Sequence, residues 1–101
     1  MSVDNESRPK HPGEILRDEF LTGLGMTAHA LAGELKVPPP RINDIVREKR
    51  AVTPETALRL ARYFGTTPQF WLSLQSNYDL MVTEQEIGPV IEREVRTRSS
   101  A

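Results

Sequence analysis

The stretch that decides the fold is Ala28-His29-Ala30-Leu31-Ala32-Gly33-Glu34-Leu35-Lys36-Val37-Pro38-Pro39-Pro40-Arg41-Ile42-Asn43-Asp44-Ile45. Thr27, just before it, is a natural N-cap, and Ala28, Leu31, Ala32 and Leu35 recur at helical spacing. The proline run that follows reads at first as a linker. Proline is tolerated in a helix's first turn, however, where N–H groups lack intrahelical partners, and Ile42, Ile45 and Val46 resume the helical period. A second helix therefore opens inside the run. Two short helices crossing steeply need a small residue at the crossing, which Ala32 supplies. Leu31, Leu35, Val37, Ile42 and Ile45 fill the angle between them. This is helix-turn-helix spacing, in which the second helix enters the major groove of DNA. A generic pair of packed helices needs the same small and apolar positions, so the spacing alone leaves both readings open.

Working outward, the chain is punctuated into five apolar-periodic segments over residues 12 to 82, none with the period-two alternation of a strand. The first helix is expected to open at Pro12 with Glu14 in its first turn, to turn Ile15, Leu16 and Phe20 inward, and to end at Gly23 and Gly25. Thr53-Pro54-Glu55 gives cap, N1 proline and acidic first turn for a fourth helix, with Ala57, Leu58, Ala61 and Phe64 inward and Gly65 as its stop. Thr67-Pro68 repeats the cap, and Phe70, Trp71, Leu74, Tyr78 and Met81 mark a longer fifth helix. Beyond Thr83, residues Ile87, Val90, Ile91 and Val95 continue an amphipathic pattern that Gly88-Pro89 interrupts, so a kink or a separate short helix is expected. The fold class is all-α: a tail over 1–10, a DNA-binding domain over 11–82 and a helical extension with tail over 83–101.

The chain's 101 residues suit one domain with one modest core. Zero cysteines remove disulfides, thiolate metal sites and cysteine nucleophiles and suit a reducing compartment. The polar start and the lack of a long apolar run point to no membrane partner and a cytoplasmic location. His11 and His29 without a His-Glu-x-x-His pattern do not make a metal site, and no cofactor is expected. Glu14, Asp18 and Glu19 read as a solvated helix face. Ser7, Ser73 and Ser76 lack a triad context, and Gly13, Gly23, Gly25 and Gly33 make no phosphate loop. The chain is not read as an enzyme.

Charge separates the two readings of the helix pair. The formal net charge of −1 taken whole argues against nucleic acid. Divided along the chain, Lys36 to Arg62 carries seven basic and three acidic residues, a balance of +4, against −5 elsewhere. The segment around the second motif helix thus has the asymmetry a phosphate-contacting surface requires.

Three blocks also carry a family resemblance: His11-Pro12-Gly13-Glu14-Ile15-Leu16 with Phe20-Leu21; Val52-Thr53-Pro54-Glu55-Thr56-Ala57-Leu58-Arg59-Leu60; and Phe70-Trp71-Leu72-Ser73-Leu74-Gln75-Ser76-Asn77-Tyr78-Asp79-Leu80. Over residues 11 to 87 the chain resembles HigA-type antitoxins, lambda-repressor-like helix-turn-helix proteins of the XRE family. The resemblance implies a five-helix core, a homodimer, autorepression at a palindromic operator, and neutralisation of a HigB-type toxin that cleaves messenger RNA.

Two departures bear on the site. Such turns often carry glycine, where this chain has Lys36, so some strain is expected. The opening of the reading helix usually offers polar side chains, and Pro38, Pro39 and Pro40 offer apolar contact only, such as to a thymine methyl. Base reading accordingly falls to Arg41, Asn43, Asp44 and Arg47, with backbone or apolar contacts from Thr27, His29, Pro39, Pro40, Lys49 and Arg50. His29 reads equally well as an inert surface residue. Phe70 and Trp71 are more often core than interface, yet Trp71, Leu74 and Tyr78 are where a dimer seam on the last helix would bury aromatic area. The competing readings are a solitary regulator without a toxin and an interaction module that has lost DNA binding, the latter favoured by the proline run.

Overall fold

The computed structural model describes residues 8–100, whose regular elements are all helical, without a strand. The tail expectation for residues 1–7 lies outside them. Helix α1 (residues 12–24) joins the turn Pro12–Ile15, a wider segment Leu16–Leu21 and the turn Thr22–Leu24. Then follow α2 (Ala28–Leu35), α3 (Pro39–Val46), α4 (Pro54–Phe64) and α5 (Pro68–Glu94), with a single 3₁₀ turn at Arg98–Ser100.

The caps explain the boundaries. Thr27, Thr53 and Thr67 each accept a hydrogen bond from the backbone N–H three residues on, from Ala30, Thr56 and Phe70. Gly25 and Gly65 close α1 and α4 in the left-handed region, at φ 62° and 73°. Gly23, expected as a stop, lies inside the last turn of α1. The middle of α1 is π-helical: the N–H of Thr22 reaches the carbonyl of Arg17, five residues back. That extra residue per turn puts Leu16 and Leu21, five apart, both into the core.

Leu16, Leu31, Ile42, Ile45, Leu60 and Trp71 are all completely buried. Each contributes on the order of 1.5–3 kcal/mol from the area removed from water. Leu58, expected inward, is 60% exposed. On α4 the apolar seam is Ala57, Leu60 and Ala61, and Leu58 falls outside that arc.

α5 runs unbroken through Pro89 and across residues 82 and 83, so no separate short helix forms there. Pro89 removes one helical hydrogen bond, and its exposure lets water take over the freed carbonyl. Leu80, Ile87, Ile91 and Val95 along this half are exposed.

His11 closes the other end of α1 from inside. It is buried, its Nδ1 accepts the N–H of Gly13 at 2.8 Å, and its ring meets Tyr78 edge-on with centroids 4.9 Å apart. Burial pushes its pKa below the ordinary value, against the weaker pull of Glu48 and Asp79. Because the unfolded chain then binds the proton more tightly, stability is full above about pH 6.5 and falls as pH drops from there towards the folded value. Thermal melts between pH 7.5 and 5.5 are expected to show this loss, and His11→Asn, a cap that does not titrate, is expected to flatten it. An unchanged slope in the variant would assign the loss to another group. Glu14, whose carboxyl is lowered mainly by its hydrogen bonds from Arg8, acts in a more acidic window.

Candidate nucleic-acid interface

The turn between α2 and α3 is built by its backbone. Lys36 sits in the left-handed region at φ 62°, ψ 44°, the N–H of Val37 reaches the carbonyl of Ala32 at 3.1 Å, and Val37 is buried beneath. This is the helix stop that glycine makes most cheaply; with Lys36 it costs on the order of 1 kcal/mol.

Pro38 stands in the N-cap position of α3 with extended backbone, and Pro39 and Pro40 occupy the first turn. They leave no orphan N–H there. Arg41 supplies the first donor of the helix and gives it to the carbonyl of Pro38 at 3.0 Å. This terminus is therefore a poor anion site, unlike that of α2, where Thr27 is exposed and its helix opens with free N–H groups.

Ile42 and Ile45 bury one side of α3. By the 3.6-residue period, Pro40 and Arg47 lie opposite that seam, Asn43 and Asp44 lie on either side of them, and Arg41 borders the seam. Of the four residues expected to read bases, Arg41, Asn43 and Asp44 thus share one short helix, and Arg47 is its exposed C-cap. Arg41 lies 3.5 Å from Glu55, and Asp44 lies 3.5 Å from Arg50. Thr27 and His29 are exposed at the start of α2, and Lys49 and Arg50 are exposed in the turn after α3. Arg41, Arg50, Ala51, Thr53, Glu55 and Thr56 line a shallow cleft between that turn and α4.

Three long-range contacts fix this surface, and none is visible in local sequence patterns. Arg17 donates to the carbonyl of Val46 at 2.7 Å and pairs with Asp18 and Glu48. Its guanidinium pKa is raised, first by the hydrogen bond to Asp18. It holds the last turn of α3 where Glu48 is in the left-handed region at φ 63°. Arg59 donates to the carbonyl of Leu35 at 2.9 Å, tying α4 to the end of α2. Gln75, buried on α5, accepts the N–H of Val52 at 2.7 Å and donates to Asp79 at 3.0 Å, pinning the turn that carries Lys49 and Arg50. Glu55 and Arg59, one helical turn apart on α4, pair at 3.1 Å.

The residues expected at a dimer seam are placed differently from those expected to meet DNA. Trp71 is 0% exposed within one chain, at the centre of a cluster with Phe20, Phe64 and Phe70, and its indole N–H donates to Thr66 at 2.8 Å. It has no surface left for a partner. Leu74 packs on the same core and Tyr78 on His11, each half-buried.

Among the described residues no group of three or more His, Asp or Glu gathers as a metal site, and no helix is long and apolar enough to cross a membrane.

The helix-turn-helix family profile matches residues 18–71. The chain is 57% identical over 82 residues to virulence-associated protein I of Dichelobacter nodosus, covering 81% of this chain and 76% of that one. It is 37% identical over 76 residues to antitoxin HigA-1 of Vibrio cholerae, covering 75% and 71%. The structure of Pseudomonas aeruginosa antitoxin HigA with the higBA promoter matches at a TM-score of 0.89 and 50% identity, over 90% of this chain and 99% of that one. With the motif geometry and these likenesses together, the chain belongs to the helix-turn-helix family and, within it, to the HigA-type antitoxins.

Proposed function

We propose that the chain binds its own operator as a homodimer, represses the operon that encodes it, and neutralises a HigB-type toxin. The observation that carries the DNA half is α3 itself: a short helix that offers Arg41, Asn43 and Asp44 from outside its buried seam and Arg47 at its C-cap, within a segment of net charge +4. The P. aeruginosa relative seen with promoter DNA supports it. Arg41 suits a guanine edge and Asn43 an adenine edge, whereas Lys49 and Arg50 suit phosphates. Pairing two copies so that their reading helices lie about 34 Å apart matches half-sites one helical turn apart. With Trp71 internal, the surface such pairing would cover is the exposed apolar line Leu80, Ile87, Ile91 and Val95.

Gel-shift titrations test this reading with the duplex from upstream of the chain's own coding sequence and a random duplex of equal length. Arg41→Ala is expected to lose roughly 5- to 150-fold on the first and little on the second, while Lys49→Ala weakens both alike and lowers the salt slope by about one. Equal losses on both duplexes for Arg41→Ala would remove it as a reader. The toxin half is supported by the −5 balance outside the basic segment. It predicts co-elution with a small basic protein encoded beside this chain; separate elution would refute that half alone.

A further inference from the structure

We propose that Glu55 is a specificity-determining residue of this surface, acting through Arg41; the inference rests on the DNA-binding reading above. Glu55 lies in the first turn of α4, outside the motif, where a carboxylate is favoured by the helix dipole. Its two oxygens serve two arginines. Oε2 accepts from Arg59 at 3.1 Å, and Oε1 lies 3.5 Å from Arg41. Arg59 is itself anchored on the carbonyl of Leu35 at the end of α2. The chain Leu35, Arg59, Glu55, Arg41 thus runs from one motif helix, through α4, to the reading flank of the other.

Two consequences follow from this arrangement. Arg41, whose side chain is only 26% exposed, already lies beside the Glu55 carboxylate before DNA arrives, which biases its posture, so less freedom is lost when it meets a base. A carboxylate beside the groove also repels phosphates, a penalty that every sequence incurs alike. Only DNA that gives Arg41 an acceptor in that posture recovers what Glu55 costs. Glu55 therefore raises discrimination by disfavouring the wrong DNA as well as by ordering the reader.

The test is the ratio of affinities for the own-promoter duplex and the random duplex, measured for the full chain, Glu55→Gln, Arg41→Ala and the double variant. Glu55→Gln keeps shape and removes the charge. It is expected to tighten random DNA about three- to tenfold and lower the ratio about fivefold, and to leave the ratio of the Arg41→Ala background unchanged. An unchanged ratio in the Arg41 background supports the route through Arg41. If Glu55→Gln shifts both duplexes equally in the native background, or lowers the ratio equally without Arg41, the proposal is overturned. A melting temperature lowered by more than about 5 °C would also overturn it, by showing that Glu55 serves α4 instead. A native chain with no preference for the promoter duplex refutes the DNA-binding reading itself, which distinguishes that failure from this one.

Discussion

Replacing Gly13 by alanine is expected to unfold much of the molecule at temperatures the native chain survives. Gly13 sits just inside the start of α1, its N–H held by His11, and its Cα lies against the last turn of α3. A Cβ there falls on the carbonyl oxygen and carbon of Ile45, backbone atoms of a helix whose other side is locked into the core. The clash cannot be relieved by rotating a side chain. Either α1 or α3 must move, at a cost of at least about 3 kcal/mol. For a domain of this size that is a fall of more than about 12 °C in melting temperature. Gly23→Ala is the control. Its site is open and helical, so the same added methyl is expected to raise the melting temperature by a few degrees. A Gly13→Ala melt within about 3 °C of the native one would show that the two helices separate easily.

Trp71→Ala is expected to cost about 3–5 kcal/mol, a large share of the stability of a chain this size. The indole fills the junction between α1, α4 and α5, so its removal leaves a void lined by Phe20, Phe64 and Phe70 and strands the Thr66 hydroxyl. Trp71→Phe keeps most of the packing and loses the hydrogen bond, for about 1–2 kcal/mol. Because Trp71 acts within one chain, both losses are expected to be the same at low and high protein concentration. A penalty confined to dilute samples would mean that the side chain stabilises association rather than the fold.

Much of the architecture is legible in the amino-acid sequence. The caps at Thr27, Thr53 and Thr67, the stops at Gly25 and Gly65, and the strained turn at Lys36 all depend on groups within five residues of one another, and the text of the chain lists those directly. The π-helical stretch in α1 was not legible, because Leu16 and Leu21 mean nothing to a 3.6-residue period until the extra residue is known. Of the kink or separate short helix expected at Gly88-Pro89, the separate helix does not form: a proline at an exposed helix position removes a bond without ending the helix.

The candidate site divides along the same line. Amino-acid order by itself determined that Arg41, Asn43 and Asp44 ride on one short helix, with Arg47 at its end, in a basic segment, since helical period and charge are properties of adjacent residues. It could not assign Trp71 to core or seam, because both demand an aromatic on the inner stripe of α5; only the way α1 and α4 close over that stripe decided for the core. Nor could it supply the contacts of Arg17 with Val46, Arg59 with Leu35 and Gln75 with Val52, which span 29, 24 and 23 residues. Those distances are set by where helices cross, and crossing is decided by the packing of side chains from separate helices into one core.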